Sequence, residues 1–162
     1  YIGGLQKYVP LLISLFAPNV NAYRRFTREI SAPISLQWGY DNRTTGFRVP
    51  VSDARARRVE NRVIGADANP SVAMSMTLAC GYLGMKNQIK PKPEMKGDAY
   101  LSPYSLPRSL GEALDWLRRE TDLHEVLGKE FVTIYTEIKE LEFEEFMKVI
   151  SPWEREHLLL SV

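Results

Sequence analysis

The sequence predicts an α+β fold in which short antiparallel strands precede a mainly helical C-terminal half. Three segments within residues 34–64 have the composition of strands, and residues 70–85 and those from 109 onward carry apolar side chains at helical spacing. Prolines interrupt residues 86–107, which we expect to form a long surface loop. The length of 162 residues suits a single domain.

The first half of the chain is expected to contain one broken helix and three strands. Tyr1–Phe16 has helical apolar spacing, and Pro10 should kink or break that helix because proline disrupts helix interiors. Three strands follow, at residues 34–40, 44–51 and 57–64. Asp41 and Asn42 are turn residues, and they predict that the first two strands form a hairpin.

The second half begins with a helix whose start is marked by Asn69 and Pro70, since asparagine caps helices and proline favours the first helical position. Within it, Gly81 and Gly84 would permit close backbone contact. Further helices are expected at residues 109–119, 122–127, 129–150 and from 152 onward. The inner side of the longest is expected to contain Phe131, Ile134, Tyr135, Ile138, Phe143 and Phe146.

Arginine is concentrated in one part of the chain. Nine of the thirteen arginines lie between Arg24 and Arg62, and no lysine occurs between Tyr8 and Met85. The planar guanidinium binds carboxylates and phosphates through two hydrogen bonds at once, whereas lysine is a hydrated point charge. Residues 24–62 have a net charge of +5, while the whole chain has +1. A positive charge that is local rather than global favours a small anionic ligand over nucleic acid.

Composition also limits the compartment. The single cysteine, Cys80, excludes an internal disulfide and predicts a reducing, cytoplasmic setting. It lies in the apolar run Ala73–Met85 without a nearby histidine, which indicates a buried thiol rather than a nucleophile. The apolar run Leu11–Ala17 is too short to span a bilayer, and the sequence shows no signal peptide, so we expect no membrane partner.

Arg58, Glu60 and Arg62 alternate along the third predicted strand and would therefore share one face. On a solvated strand they would form an ordinary stripe of ion pairs. Arg43 and Arg48 lie on the predicted hairpin and would face the same space. Four arginines around one carboxylate fit a site in which the arginines bind phosphates and the carboxylate binds a divalent metal.

Several motifs occur here in a specific order: Asn21-Ala22-Tyr23-Arg24-Arg25, Asp41-Asn42-Arg43 with Arg48, Arg57-Arg58-Val59-Glu60-Asn61-Arg62, and Ala66-Asp67-Ala68-Asn69-Pro70. Together they resemble the C-terminal part of the glutamine synthetase catalytic domain. The resemblance covers nearly all of residues 1–162, including Ser151–Glu156. It implies that the N-terminal domain and the first half of the catalytic domain are absent, and that this piece alone is inactive.

The resemblance implies an ATP-dependent ligase. In this family ATP phosphorylates the side-chain carboxylate of glutamate, and an amine then displaces the phosphate to give a γ-glutamyl amide. The expected cofactors are ATP and Mg²⁺ or Mn²⁺, and the full-length enzyme is expected to form a homo-oligomeric ring with sites between subunits. No nucleic-acid partner is expected.

Residue roles follow from the same resemblance. Arg25 would bind the main-chain carboxylate of glutamate, Arg43 and Arg48 the ATP phosphates and the transferring phosphoryl group, and Arg58 the nucleotide. Arg62 would contact the side-chain end of the substrate or its phosphoryl group, and Glu60 would be one metal ligand. Arg43 and Arg62 are the candidate catalytic residues, because phosphoryl transfer depends on charge neutralisation and positioning.

One position departs from the pattern of the ammonia-using members, which carry a glutamate on the flap that follows the first motif. This chain has Ser31 there. Loss of the negative charge suggests an amine larger than ammonia and points to the γ-glutamylpolyamine or γ-glutamylamine ligase branch. Tyr100 falls where regulated bacterial members carry a modifiable tyrosine, but the surrounding residues differ, which favours an ordinary loop tyrosine.

Three other functions stay open on the sequence. One is an ammonia-using glutamine synthetase, and another is a non-catalytic module that binds nucleotides or other anions. A nucleic-acid binder is the third, although the net charge of +1 and the lack of a basic run interleaved with aromatic residues speak against it.

Overall fold

A computed structural model describes residues 1–28, 31–119 and 121–160. These residues form a three-stranded sheet and seven α-helices, so the α+β class is confirmed. The strands are β1 (Trp38–Tyr40), β2 (Phe47–Val49) and β3 (Glu60–Asn61). The helices are α1 (Ile2–Tyr8), α2 (Ile13–Phe16), α3 (Pro70–Lys86), α4 (Leu110–Arg119), α5 (Thr121–Leu127), α6 (Lys129–Met147) and α7 (Pro152–Leu158).

The sheet has the order β1-β2-β3, and its first pair corrects the sequence prediction. β1 and β2 run parallel, with Trp38 opposite Phe47 and Tyr40 opposite Val49, so the predicted hairpin is wrong. Residues 41–46 carry the chain back to the start of β2 instead of reversing its direction. β2 and β3 are antiparallel, and Arg48 lies opposite Glu60. The strands are also shorter than the alternating pattern suggested.

Local signals place most of the helix ends. Val9–Leu12 is a 3₁₀ helix that contains Pro10 and separates α1 from α2, as the proline predicted. The side chain of Asn69 accepts hydrogen bonds from the backbone N–H groups of Ser71 and Val72 at the start of α3. A capping box opens α7, in which Ser151 and Glu154 bond each other's backbone N–H groups.

The core is built from the helices on both sides of the arginine-rich region and from apolar side chains within that region. α1 packs on α3, while α4 packs on α2 and on α6. α1 and α3 approach so closely that a Cβ on Gly84 would lie 2.4 Å from the Cα of Gly4. Glycine at both positions permits this approach because it has no side chain. The largest fully buried side chains include Tyr8, Phe16, Phe26 and Phe47.

The long helix α6 differs from its predicted burial. Val132 and Thr136 are its buried residues, whereas Phe131, Ile134, Ile138 and Phe146 are exposed, so those four predicted inner positions are wrong. Tyr135 and Phe143 pack partly against the core. Within the residues that the structure describes, none of the helices has the length and apolar character needed to cross a bilayer.

Candidate functional site

A cleft of about 490 Å³ opens beside the sheet. It is lined by Ser31, Arg43, Thr44, Arg48, Glu60, Arg62 and Tyr100. These residues come from segments far apart in the sequence. β2 and the segment before it contribute two arginines and Thr44, and β3 and the residue after it contribute Glu60 and Arg62. A loop contributes Ser31, and the 3₁₀ helix Ala99–Leu101 contributes Tyr100.

Arg48 lies between two carboxylates. Its Nη1 is 3.0 Å from Oε2 of Glu60, and its Nη2 is 2.8 Å from Oδ1 of Asp41. The hydrogen bonds to Glu60 and then to Asp41 raise the pKa of Arg48 above its ordinary value, so this guanidinium is a permanent cation. The position follows from the sheet, because Arg48 and Glu60 are opposite each other in the β2–β3 pairing.

Arg62 reaches across the cleft to the loop that carries Ser31. Its Nη2 donates a hydrogen bond of 2.6 Å to the backbone carbonyl of Ser31, and its Nη1 is 3.9 Å from Glu60. The Ser31 backbone has φ of 58°, in the left-handed region that serine rarely adopts. The Nε atoms of Arg48 and Arg62 are buried and find no hydrogen-bond acceptor among the described residues.

Segment 41–46 is tied to the loop that follows α3. Asn42 donates to the carbonyls of Met95 and Gly97, while its Oδ1 accepts from the backbone and the hydroxyl of Thr44. The hydroxyl oxygen of Thr44 accepts in turn from the backbone N–H of Ala99. These bonds hold the backbone on either side of Arg43, whose exposed side chain takes part in none of the ion pairs found among the described residues.

Two residues assigned by the sequence lie outside the lining of this cleft. Arg58 is exposed and donates to the carbonyl of Ala56 at 3.0 Å, because regular strand pairing covers only Glu60–Asn61 and the predicted alternation does not extend to position 58. Arg25 points inward, where it donates to the carbonyl of Val63 and lies over the ring of Phe26. Burial lowers the pKa of Arg25, with the charge of Asp67 acting in the opposite direction.

The described residues do not complete a divalent-metal site. Among them, no group of three or more His, Cys, Asp and Glu side chains is arranged to bind a metal. Glu60 is the one carboxylate that lines the described part of the cleft, and it already pairs with Arg48 and Arg62. A hard divalent cation takes six or more oxygen ligands, so Glu60 would supply a single ligand.

Two lining residues had no role in the sequence-based site. Thr44 and Tyr100 reach the cleft through the hydrogen bonds between segment 41–46 and the loop at 95–101. The two segments are about fifty residues apart in sequence, and neither carries a local pattern that predicts their contact.

The cleft has the chemistry of an anion-binding site, because three guanidinium groups outnumber its one carboxylate among the described lining residues.

Comparison with known proteins gives the family. Residues 1–158 match the model of the glutamine synthetase catalytic domain. The chain is 33% identical over 160 residues to glutamine synthetase of Thermococcus kodakarensis, which covers 93% of this chain and 36% of the relative. It is 34% identical over 160 residues to γ-glutamylputrescine synthetase of Escherichia coli, covering 98% of this chain and 34% of the relative. The chain therefore belongs to the glutamine synthetase family.

Two further comparisons agree with this membership. Glutamate–isopropylamine ligase of Pseudomonas sp is 32% identical over 158 residues, covering 95% of this chain and 34% of the relative. A solved structure titled "Apo GmaS without ligand" superposes with a TM-score of 0.85 at 28% identity, covering 98% of this chain and 37% of the other. The chain spans about a third of the length of the curated relatives it matches.

Proposed function

We propose that this chain is the C-terminal portion of an ATP-dependent ligase that joins the side-chain carboxylate of glutamate to an amine. The observation that carries the proposal is the cleft in which Arg43, Arg48 and Arg62 surround Glu60. Phosphoryl transfer needs neutralisation of negative charge more than covalent catalysis, and three guanidinium groups supply it. The names of the relatives, which include synthetases and ligases of glutamate, support the same reaction class.

In this proposal the arginines position the substrates. Arg43 and Arg62 face the transferring phosphoryl group, and Arg48 holds the phosphates of ATP while Asp41 and Glu60 fix its guanidinium. Arg25 binds the main-chain carboxylate of glutamate, which requires its side chain to leave the carbonyl of Val63. Arg58, exposed beside β3, contacts the nucleotide outside the cleft.

Glu60 supplies one oxygen ligand for the Mg²⁺ or Mn²⁺ that the family implies. When bound, such an ion would offset charge on the phosphates. The remaining ligands have to come from outside the described residues, which contain no further cluster for a metal. We therefore propose that the 162-residue chain is inactive by itself and that turnover requires the longer enzyme.

The acceptor is proposed to be an amine larger than ammonia. Ser31 lies at the cleft, where a carboxylate would favour ammonium, and its uncharged side chain removes that attraction. An ammonia-using enzyme is the second candidate, because the identity to glutamine synthetase (33%) lies between the identities to the two amine ligases (32% and 34%).

A homo-oligomeric ring is part of the proposal. Along α6, α7 and the connection between them the chain exposes large apolar side chains, including Leu141, Met147, Ile150 and Trp153. An apolar surface of this kind is typical of a subunit interface. Light scattering of the full-length enzyme should give a mass of several subunits, and a monodisperse monomer at micromolar concentration would contradict this part.

The decisive experiment measures products. The full-length enzyme is incubated with glutamate, ATP, Mg²⁺ and a panel containing ammonia, isopropylamine and putrescine, and the γ-glutamyl products are identified by mass spectrometry. We expect an amide with at least one amine and a fall of at least about a hundredfold in turnover for Glu60→Ala. Glu125→Ala, an exposed carboxylate on α5, is the matched control. Wild-type turnover by Glu60→Ala would reject its metal role.

A further inference from the structure

Tyr100 gives the cleft its one aromatic surface among the described residues. The other lining side chains are three arginines, one glutamate and two short hydroxyl residues. Tyr100 is half-buried and follows Asp98 in the short 3₁₀ helix Ala99–Leu101. The cleft therefore combines a strongly charged wall with a single flat, largely apolar wall.

The backbone that carries Tyr100 is held in place. Its N–H donates to Oδ1 of Asp98 at 2.9 Å, and the preceding N–H of Ala99 donates to the hydroxyl of Thr44 at 2.8 Å. Ala99 itself is fully buried. Because Thr44 follows Arg43 directly, these bonds fix the backbone of the aromatic residue relative to that of a charged one.

We propose that Tyr100 determines the acceptor specificity of the ligase, by packing its ring against the aliphatic substituent of a primary amine. This inference rests on the proposed function. The phosphoryl group and the glutamate carboxylates are anionic and suit the arginines. The aliphatic part of an amine gains nothing from guanidinium groups, but it loses contact with water when it lies against an aromatic ring. Ser31, which also lines the cleft, adds no charge that would oppose this.

The test compares an alkylamine with ammonia in the full-length enzyme. Tyr100→Ala should lower kcat/KM for isopropylamine about tenfold, which is typical for loss of an apolar contact to a small substituent. The same variant should change kcat/KM for ammonia less than about twofold, since ammonia has no substituent. Tyr100→Phe should keep the wild-type preference, and Tyr82→Ala, an exposed tyrosine on α3, is the matched control.

The results separate this inference from the proposed function. A wild-type enzyme that forms no γ-glutamyl amide overturns both. An active wild type whose Tyr100→Ala variant keeps its preference for the alkylamine, or loses equally on both amines, overturns the inference alone. A rise in the KM for ATP of Tyr100→Ala with unchanged amine selectivity would indicate that the ring contacts the nucleotide, and it would also overturn the inference.

Discussion

Arg48 and Glu60 are direct partners across the antiparallel pair β2–β3, and their side chains form an ion pair of 3.0 Å at the cleft. The sheet register therefore sets a charge relationship in the candidate site. Arg48 forms a second ion pair with Asp41, in which Nη2 of Arg48 lies 2.8 Å from Oδ1 of Asp41. The cleft's carboxylate and its most constrained guanidinium are thus fixed by the same two strands.

Replacing Glu60 by glutamine should separate function from stability. The Glu60 side chain is 43% exposed, and partly exposed ion pairs contribute little to folding. We expect the melting temperature of the chain to fall by less than about 4 °C. Turnover of the full-length enzyme should nevertheless fall at least about a hundredfold. A large loss of melting temperature by circular dichroism would show that Glu60 is chiefly structural.

Anion binding should depend on Arg62 more than on Arg58. The Arg62 side chain is only 13% exposed and lines the cleft, whereas Arg58 is exposed outside it. Isothermal titration with pyrophosphate should show roughly tenfold or greater weakening for Arg62→Ala, since a charge-assisted hydrogen bond is lost. Arg58→Ala should weaken pyrophosphate binding less than about twofold. Equal effects of the two variants would place the bound anion elsewhere.

Gly84→Ala should destabilise the chain strongly, although alanine is the better helix former. Its Cβ would lie 2.4 Å from the Cα of Gly4, and backbone cannot move aside as a flexible side chain can. We expect a loss of about 1–3 kcal/mol, measured by urea unfolding. Gly97→Ala is the matched control, because its Cβ would meet only the end of Met95 at 3.9 Å. A neutral Gly84→Ala would contradict the close approach of α1 and α3.

The cap at Asn69 should contribute to stability more than the cap at Ser151. Asn69→Ala removes the acceptor for the N–H groups of Ser71 and Val72 and should cost about 1 kcal/mol. Ser151→Ala should matter less, because α7 buries none of its residues and fraying of its first turn releases little packing. Thermal unfolding of both variants measures the two losses of stability. A larger loss for Ser151→Ala than for Asn69→Ala would contradict the prediction.

Stability should decline at high pH because of Cys80. Burial raises the pKa of this thiol from 9.0 to about 12, so the unfolded chain loses the proton before the folded chain does. The contribution is fully present below pH 9 and is lost as pH rises toward 12, at up to about 1.4 kcal/mol per pH unit.

The measurement is urea unfolding between pH 8 and pH 11. Cys80→Ala should flatten the pH dependence relative to the wild type, whatever it does to stability at pH 8. Buried tyrosines add to the decline, since burial also raises the pKa of Tyr23 and Tyr135. An identical slope in the wild type and in Cys80→Ala would show that the thiol does not titrate differently on folding.

Local signals predicted the helical part of the fold well. Asn69, Pro70 and the capping box at Ser151 act on their own helix ends, so their effect is readable from adjacent residues. The direction of β1 against β2 was not predictable in this way. Alternation assigns side chains to faces, but it is the same for parallel and antiparallel neighbours.

The candidate site was predictable where residues lie on paired strands and unpredictable where they do not. Glu60 and Arg48 meet through strand pairing, whereas Arg58 lies before the paired residues and points away. Tyr100 is placed at the cleft by the hydrogen bond from the neighbouring Ala99 to Thr44, about fifty residues earlier. A contact over that distance in sequence cannot be predicted from the periodicity of either segment. The burial of α6 was mispredicted because helical spacing of apolar residues indicates an apolar face, but it does not show whether another part of this chain covers that face.

The contact between Gly4 and Gly84 reaches further than the two helices that it joins. Residues 17–69, which carry nine of the thirteen arginines, connect α2 to α3 and bury Phe26, Phe47 and Val63 in the same core as side chains of α1 and α3. Separation of α1 from α3 would remove part of the core against which these side chains pack. A substitution at Gly84, which does not line the cleft, would thus lower the apparent anion affinity through the fraction of the chain that it unfolds.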